Sequence, residues 1–157
     1  MRRSNQKGFS LIELLIVVAI ILIIAAIAIP NLIKSKMAAN EASAVGSLRT
    51  LTTGEIAYAS ACPAIGFTHT LADLGTNATC PGGNGQIDST LQGGTKSGYV
   101  FADPGRTSGN VPETQFAWTG LPASTSSGTR GFYVDESGVI RYTPNGVAPT
   151  NVSNALQ

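Results

Sequence analysis

Charge is scarce in this chain. Asp, Glu, Lys and Arg together make up 12% of the 157 residues, and the formal net charge is +1. That balance excludes nucleic-acid binding driven by bulk electrostatics, while 43% hydrophobic residues exclude an intrinsically disordered chain. Helix breakers are nearly missing from one end. Residues 1–59 hold three Gly and one Pro, against fifteen Gly and seven Pro in residues 60–157. The expectation is a long hydrophobic rod followed by a single turn-rich globule, since the length suits one domain and not two.

The first eight residues carry Arg2, Arg3 and Lys7 and no acidic side chain. From residue 9 to residue 29 the only polar side chains are Ser10 and Glu13. A helix of that length rises about 31 Å, close to the hydrocarbon thickness of a bilayer. The basic cluster places the N-terminus on the cytoplasmic side and the bulk of the chain outside, and Lys34 and Lys36 beyond the span do not outweigh it. A cleaved secretory signal is the competing reading, with a small-x-small site at Ala26-Ile27-Ala28. The apolar run is too long for a signal core, Pro30 follows the expected cut, and Glu13 has no use there. A plain single-span anchor leaves Glu13 equally unexplained. A carboxylate in a membrane segment costs about 2.5–3.5 kcal/mol, and such groups are usually paired and functional. Lys7 is six positions away, near the interface, so a partner on the same helix is lacking; Glu13 either snorkels at the membrane edge or points to pairing between copies of the chain.

The run Lys7-Gly8-Phe9-Ser10-Leu11-Ile12-Glu13-Leu14-Leu15-Ile16-Val17-Val18-Ala19-Ile20-Ile21, with Ala25-Ala26-Ile27-Ala28-Ile29-Pro30-Asn31-Leu32 after it, resembles the leader and N-terminal helix of type IV pilins. The likeness is strong over about residues 1–59 and general beyond. It implies an α+β pilin fold, with a long N-terminal helix on a small antiparallel sheet of three to four strands. It implies four regions: a basic leader at 1–8 that is cut off, a transmembrane and assembly helix at 9–30, an amphipathic half at 31–60 and a globular head at 61–157. By the same resemblance Gly8 precedes the cut made by a membrane prepilin peptidase, Phe9 becomes the N-methylated terminus, and Glu13 governs methylation and assembly. The new amine at Phe9 would stand at a helix end that disfavours positive charge, so it too needs an anion. Without residues 1–8 the chain has seven basic and nine acidic side chains, about −2 in charge. The implied partners are further copies in a helical filament, the bilayer before assembly, an assembly platform with its cytoplasmic ATPase and, for a pilin as against a pseudopilin, an outer-membrane secretin. No cofactor, metal or nucleic acid is implied.

Many pilins have a Gly midway along the apolar stretch where this chain has Leu22. Gly is about 1 kcal/mol worse than Ala in a helix, so local melting is harder here. Pro30 still forfeits one hydrogen bond, which predicts a bend or unwound segment confined to the turn or two before it. Beyond Pro30, Met37, Ala44, Leu48, Leu51 and Tyr58 recur at gaps of 7, 4, 3 and 7, one face of a helix that docks a sheet. Lys34, Lys36, Asn40, Glu41, Ser47 and Arg49 are read as lying off that stripe.

Cys62 and Cys80 are expected to form a disulfide, the default outside the inner membrane, closing a loop worth about 3 kcal/mol. Metal ligation by Cys62, His69 and Cys80 competes, but two thiols and one imidazole at irregular spacing make a poor zinc set. Short strands are expected at Tyr99-Val100-Phe101-Ala102, Gln115-Phe116-Ala117-Trp118-Thr119, Gly131-Phe132-Tyr133-Val134 and Val139-Ile140-Arg141-Tyr142. Asp135-Glu136-Ser137-Gly138 would turn the last two into a hairpin, and residues 143–157 read as coil.

No catalytic constellation emerges. His69 reads as a surface residue, and Asp88, Asp103, Asp135 and Glu136 lack paired spacing. Asp135-Glu136-Ser137-Gly138 lacks the alternating ligands of a calcium loop, and Pro81-Gly82-Gly83-Asn84-Gly85 lacks the Lys-Ser/Thr of a phosphate loop. The sequons Asn77-Ala78-Thr79 and Asn151-Val152-Ser153 are read as unused. The functional expectation is a non-enzymatic type IV pilin. The alternatives are a pseudopilin of a type II secretion or DNA-uptake machine, and a membrane-anchored or secreted binding domain. Replacing Gly8 with a bulky residue should block maturation. Intact mass should then report a product that keeps the leader, and a product of normal mature size would refute the assignment.

Overall fold

The computed structural model describes residues 8–76, 79–105, 109 and 111–156. The leader charges Arg2, Arg3 and Lys7, and Asn77-Ala78 of the first sequon, lie outside the described residues. The chain divides into two compact units, Met1–Ser35 and Lys36–Gln157. One helix, α1 (Leu11–Ala61, 51 residues), contributes to both.

In the first unit the large apolar side chains from Phe9 to Ile33 are exposed, Phe9 at 86% and Leu32 at 69%. The helix is long and apolar enough to cross a membrane, and none of that span is buried within the described chain. In the single chain α1 passes through Pro30 as continuous helix. A lone proline removes one hydrogen bond, and the Ile, Ala and Leu around it hold the remaining ladder. The expected bend or unwound segment before Pro30 concerns the assembled filament.

In the second unit α1 keeps helical shape through a polar stretch because hydroxyls bond back to the preceding turn. Thr50, Thr52, Thr53 and Ser60 donate to the carbonyls of Gly46, Leu48, Arg49 and Ile56 at 2.7–3.1 Å. It ends where Cys62 precedes Pro63, a position that disfavours the helical region. Two four-residue helices follow, each started by a side-chain cap. Thr70 accepts the Asp73 amide before α2 (Leu71–Leu74), and Asp88 accepts the Leu91 amide before α3 (Ser89–Gln92).

The sheet is a six-stranded antiparallel meander in chain order: β1 (Thr95–Lys96), β2 (Tyr99–Ala102), β3 (Ala117–Pro122), β4 (Gly131–Asp135), β5 (Arg141–Thr143) and β6 (Asn154–Ala155). The register sets Phe101 opposite Gly120, Trp118 opposite Val134 and Phe132 opposite Tyr142. Ala44, Leu48, Leu51 and Tyr58 of α1 share one core with Tyr99, Phe101, Trp118, Phe132 and Val134. The α+β pilin-like organisation is as expected, with six strands in place of three or four. β1 and β6 are two residues each, too short to show a period in sequence. β3 starts two residues later than expected and runs to Pro122, and β5 likewise starts at Arg141. The β4–β5 hairpin is present, its turn closed by the Gly138 amide on the Asp135 carbonyl at 2.8 Å with Gly138 at φ +71°. The tail read as coil supplies β6 and covers β4, since a Cβ on Gly131 would meet the Val147 carbonyl and the Pro149 ring.

Cys62 and Cys80 are disulfide-bonded across a separation of 18 residues. The 3-10 turn Pro81–Gly83 after Cys80 comes so near α1 that a Cβ on Gly83 would stand 2.4 Å from the Tyr58 ring. Replacing both cysteines with serine should lower unfolding stability by about 3 kcal/mol. A shifted denaturant midpoint would register this, and an unchanged midpoint would contradict it.

Candidate assembly site

Gly8, Phe9 and Ser10 precede α1, are exposed and are not helical, and nothing would touch a Cβ on Gly8 within 4 Å. The peptide bond between Gly8 and Phe9 thus lies in open backbone, two residues ahead of the first helical residue. The helix starts where it does because Ser10-Leu11-Ile12-Glu13 reads as a capping box. The Glu13 carboxylate accepts the Ser10 amide at 2.8 Å, and the Leu14 amide closes the first turn on the Ser10 carbonyl. Glu13 therefore sits in the first turn, where the helix dipole favours an anion. It is within one residue's reach of the position that a terminus at Phe9 would occupy. The sequence reading gave Glu13 an intermolecular role alone and missed this local bond, which the Ser-x-x-Glu spacing encodes.

The remaining sequence-assigned residues are dispersed. Pro30 lies within α1, and Cys62–Cys80 lies in the second unit. His69 is not the surface residue expected. Its side chain is 24% exposed, with Asp103 Oδ2 3.1 Å from Nδ1 and Glu113 Oε2 3.5 Å from Nε2. Those partners lie more than thirty residues along the chain, so no local pattern announces them.

Two carboxylates in the second unit were also missed. The helical stripe Met37, Ala44, Leu48, Leu51, Tyr58 has two gaps of seven, and Glu41 and Glu55 occupy them, 6% and 0% exposed. Glu41 was placed off the stripe and is on it. Glu41 Oε1 accepts the amides of Thr129 and Arg130 and the Thr129 hydroxyl, while Oε2 accepts Arg130 Nε at 2.7 Å. Burial by itself would raise the Glu41 pKa, but the donors from Thr129 and Arg130 prevail and hold it below the usual carboxylate range. Glu55 Oε1 accepts the Trp118 indole N–H at 2.9 Å and Oε2 the Thr68 amide at 3.0 Å. Burial pushes the Glu55 pKa up to about 7, Asp103 and Asp73 add to the rise, and the two hydrogen bonds oppose it.

Comparison with known proteins agrees with the N-terminal geometry. The family described as the prokaryotic N-terminal methylation motif matches residues 3–29. The chain is 62% identical over 37 residues to the type IV wide pilus major component PilA4 of Thermus thermophilus, covering 24% of this chain and 28% of that protein. It is 50% identical over 56 residues to the type IV major pilin protein PilA of Myxococcus xanthus, covering 36% of this chain and 26% of that one. The matches span about a quarter of the length of these curated relatives. No solved structure matches. The N-terminus thus carries a methylation motif, and the similarity to type IV pilins resides in this apolar helix.

Because the folded pKa of Glu41 is depressed, its contribution is present above its unfolded value near 4.5 and fades as pH falls through the folded value. Glu41→Gln should cost about 1.5–3 kcal/mol at pH 7 and remove that share of the acid loss. Urea melts at pH 7 and pH 3 compare the two, and equal costs at both would refute the ionised clamp.

Proposed function

We propose that this chain is the precursor of a type IV pilus subunit, a structural and non-enzymatic protein. Residues 1–8 are a leader cut after Gly8 by a prepilin peptidase, and Phe9 is the N-methylated terminus that results. Before assembly the helix of residues 9–30 resides in the inner membrane with its N-terminus cytoplasmic. A platform protein and its ATPase then draw it into a helical filament on the cell surface. The observation that carries this reading is Glu13 in the first turn of an uncovered apolar helix, inside the methylation motif. In the membrane its carboxylate is bound to the Ser10 amide and takes the methylated amine of a neighbouring copy when the helices stack. Pro30, deprived of one hydrogen bond, is where the helix opens on assembly, within the preceding turn or two.

The test replaces Glu13 with alanine. Membrane insertion should persist, because a costly charge has been removed from the span, while sheared fibres should disappear. A charge pair worth about 2.5–3.5 kcal/mol changes each addition step roughly a hundredfold. Normal fibre yield from the variant would discard the pairing. Fibres that stay short, scarce and periplasmic in the unaltered protein would assign it instead to a secretion or DNA-uptake machine as a pseudopilin. N-terminal sequencing and intact mass of natural material read the cut, the methyl group and the disulfide together.

A further inference from the structure

The segment that follows Cys62, residues 63–76, joins the core of the second unit through Leu74, with Ile65, Phe67 and Leu71 packed beside it, and ionisable groups fasten its backbone as well. Glu55 of α1 grips its backbone at the Thr68 amide and grips β3 at the Trp118 indole, and all of Glu55 is buried. The Thr68 hydroxyl donates to Asp73 Oδ2 at 2.9 Å, so the same turn presents a second carboxylate. Burial opposes the charge on Asp73, but donors from Thr70, Thr79 and Thr68 hold its pKa below the usual range. His69 then lies between Asp103, just past β2, and Glu113. The backbone of Glu113 is itself tied to the segment, its amide on the Ile65 carbonyl at 2.7 Å and its carbonyl on the Phe67 amide at 3.0 Å. A cavity of about 330 Å³ opens beside these groups, lined among others by Tyr58, Ile65, Phe67, His69 and Glu113.

Glu55 faces Tyr58 on its own helix, Asp73 on the segment, Asp103 beyond β2, and the uncharged Trp118 indole on β3. Ionising it adds a buried negative charge near Asp103 and Asp73.

We propose that residues 63–76 form a proton-controlled flap: with Glu55 protonated the segment stays on α1 and β3, and loss of that proton loosens it beside the cavity. The Cys62–Cys80 disulfide tethers the segment at its start and ties its far side back to α1, so loosening is a local opening and not an unfolding. The sign follows from linkage. A carboxyl whose folded pKa is raised from 4.5 to about 7 favours the closed form at low pH and loses that advantage as pH rises between those values. Glu41 acts in the opposite sense, at lower pH, on residues 129–130 and not on this segment.

The experiment measures hydrogen exchange of the full chain in detergent micelles at pH 5.5, 7.0 and 8.5, corrected for the intrinsic pH dependence of amide exchange. Protection at residues 64–76 should fall about tenfold or more from the lowest pH to the highest, while the β3–β4 ladder holds its protection. Glu55→Gln should flatten this profile. The wild-type profile is decisive even if a variant does not fold. Protection at 64–76 that is flat with pH, or a loss shared equally by β3–β4, overturns the flap. A profile unchanged in the folded Glu55→Gln variant overturns the assignment to Glu55.

Discussion

A run of large apolar side chains from Phe9 to Ile33 that the chain itself leaves uncovered is the constraint on which everything else depends. At roughly 1.5–3 kcal/mol per fully buried side chain, holding such a run in water costs tens of kcal/mol, more than the 5–15 kcal/mol that keeps a typical domain folded. The segment needs a cover from outside, and lipid or sister helices both meet that need without directional contacts. A polar group within it then has disproportionate weight. Glu13 is that group, and its bond to the Ser10 amide shows how one carboxylate is satisfied while no second chain is at hand.

Beyond Lys36 the same helix obeys a different rule. Its stripe at 41, 44, 48, 51, 55 and 58 is the spacing of a buried seam, yet two of the six positions are glutamate. Each glutamate fastens a segment distant in sequence. Glu41 binds residues 129–130, and Glu55 binds Thr68 and Trp118. The two carboxylates meet burial by different routes. Glu41 has the Arg130 guanidinium and keeps its charge, whereas Glu55 has two uncharged donors and carboxylate neighbours, and retains its proton to higher pH. Apolar residues at those positions would fill the seam, but they would leave the loop amides of Thr68 and Thr129 without these acceptors.

Much of the architecture was legible because it is written locally. The apolar run, the scarcity of breakers before residue 60, the stripe from Ala44 to Tyr58 and the Asp135–Gly138 turn each depend on neighbours within a few residues. β2 and β4 were legible too, because aromatic and β-branched residues lie between turn residues. The two edge strands were not, since β1 and β6 have two residues each and exist only through pairing with β2 and β5. His69 was misread for a related reason: the carboxylates beside it, Asp103 and Glu113, come from the stretch between β2 and β3, far along the chain.

The sequence alone determined the basic cluster before the apolar run, the helix with its capped start at Ser10 and Glu13, the cysteine pair and the class of fold, because those rest on composition and on spacings within a turn or two of helix. Tertiary structure alone decided the ionisation of the buried carboxylates and the surroundings of the one histidine. Glu41 meets Arg130 across 89 positions and Glu55 meets Trp118 across 63, and the free energy of a charge depends on which dipoles and charges folding brings within a few ångströms of it.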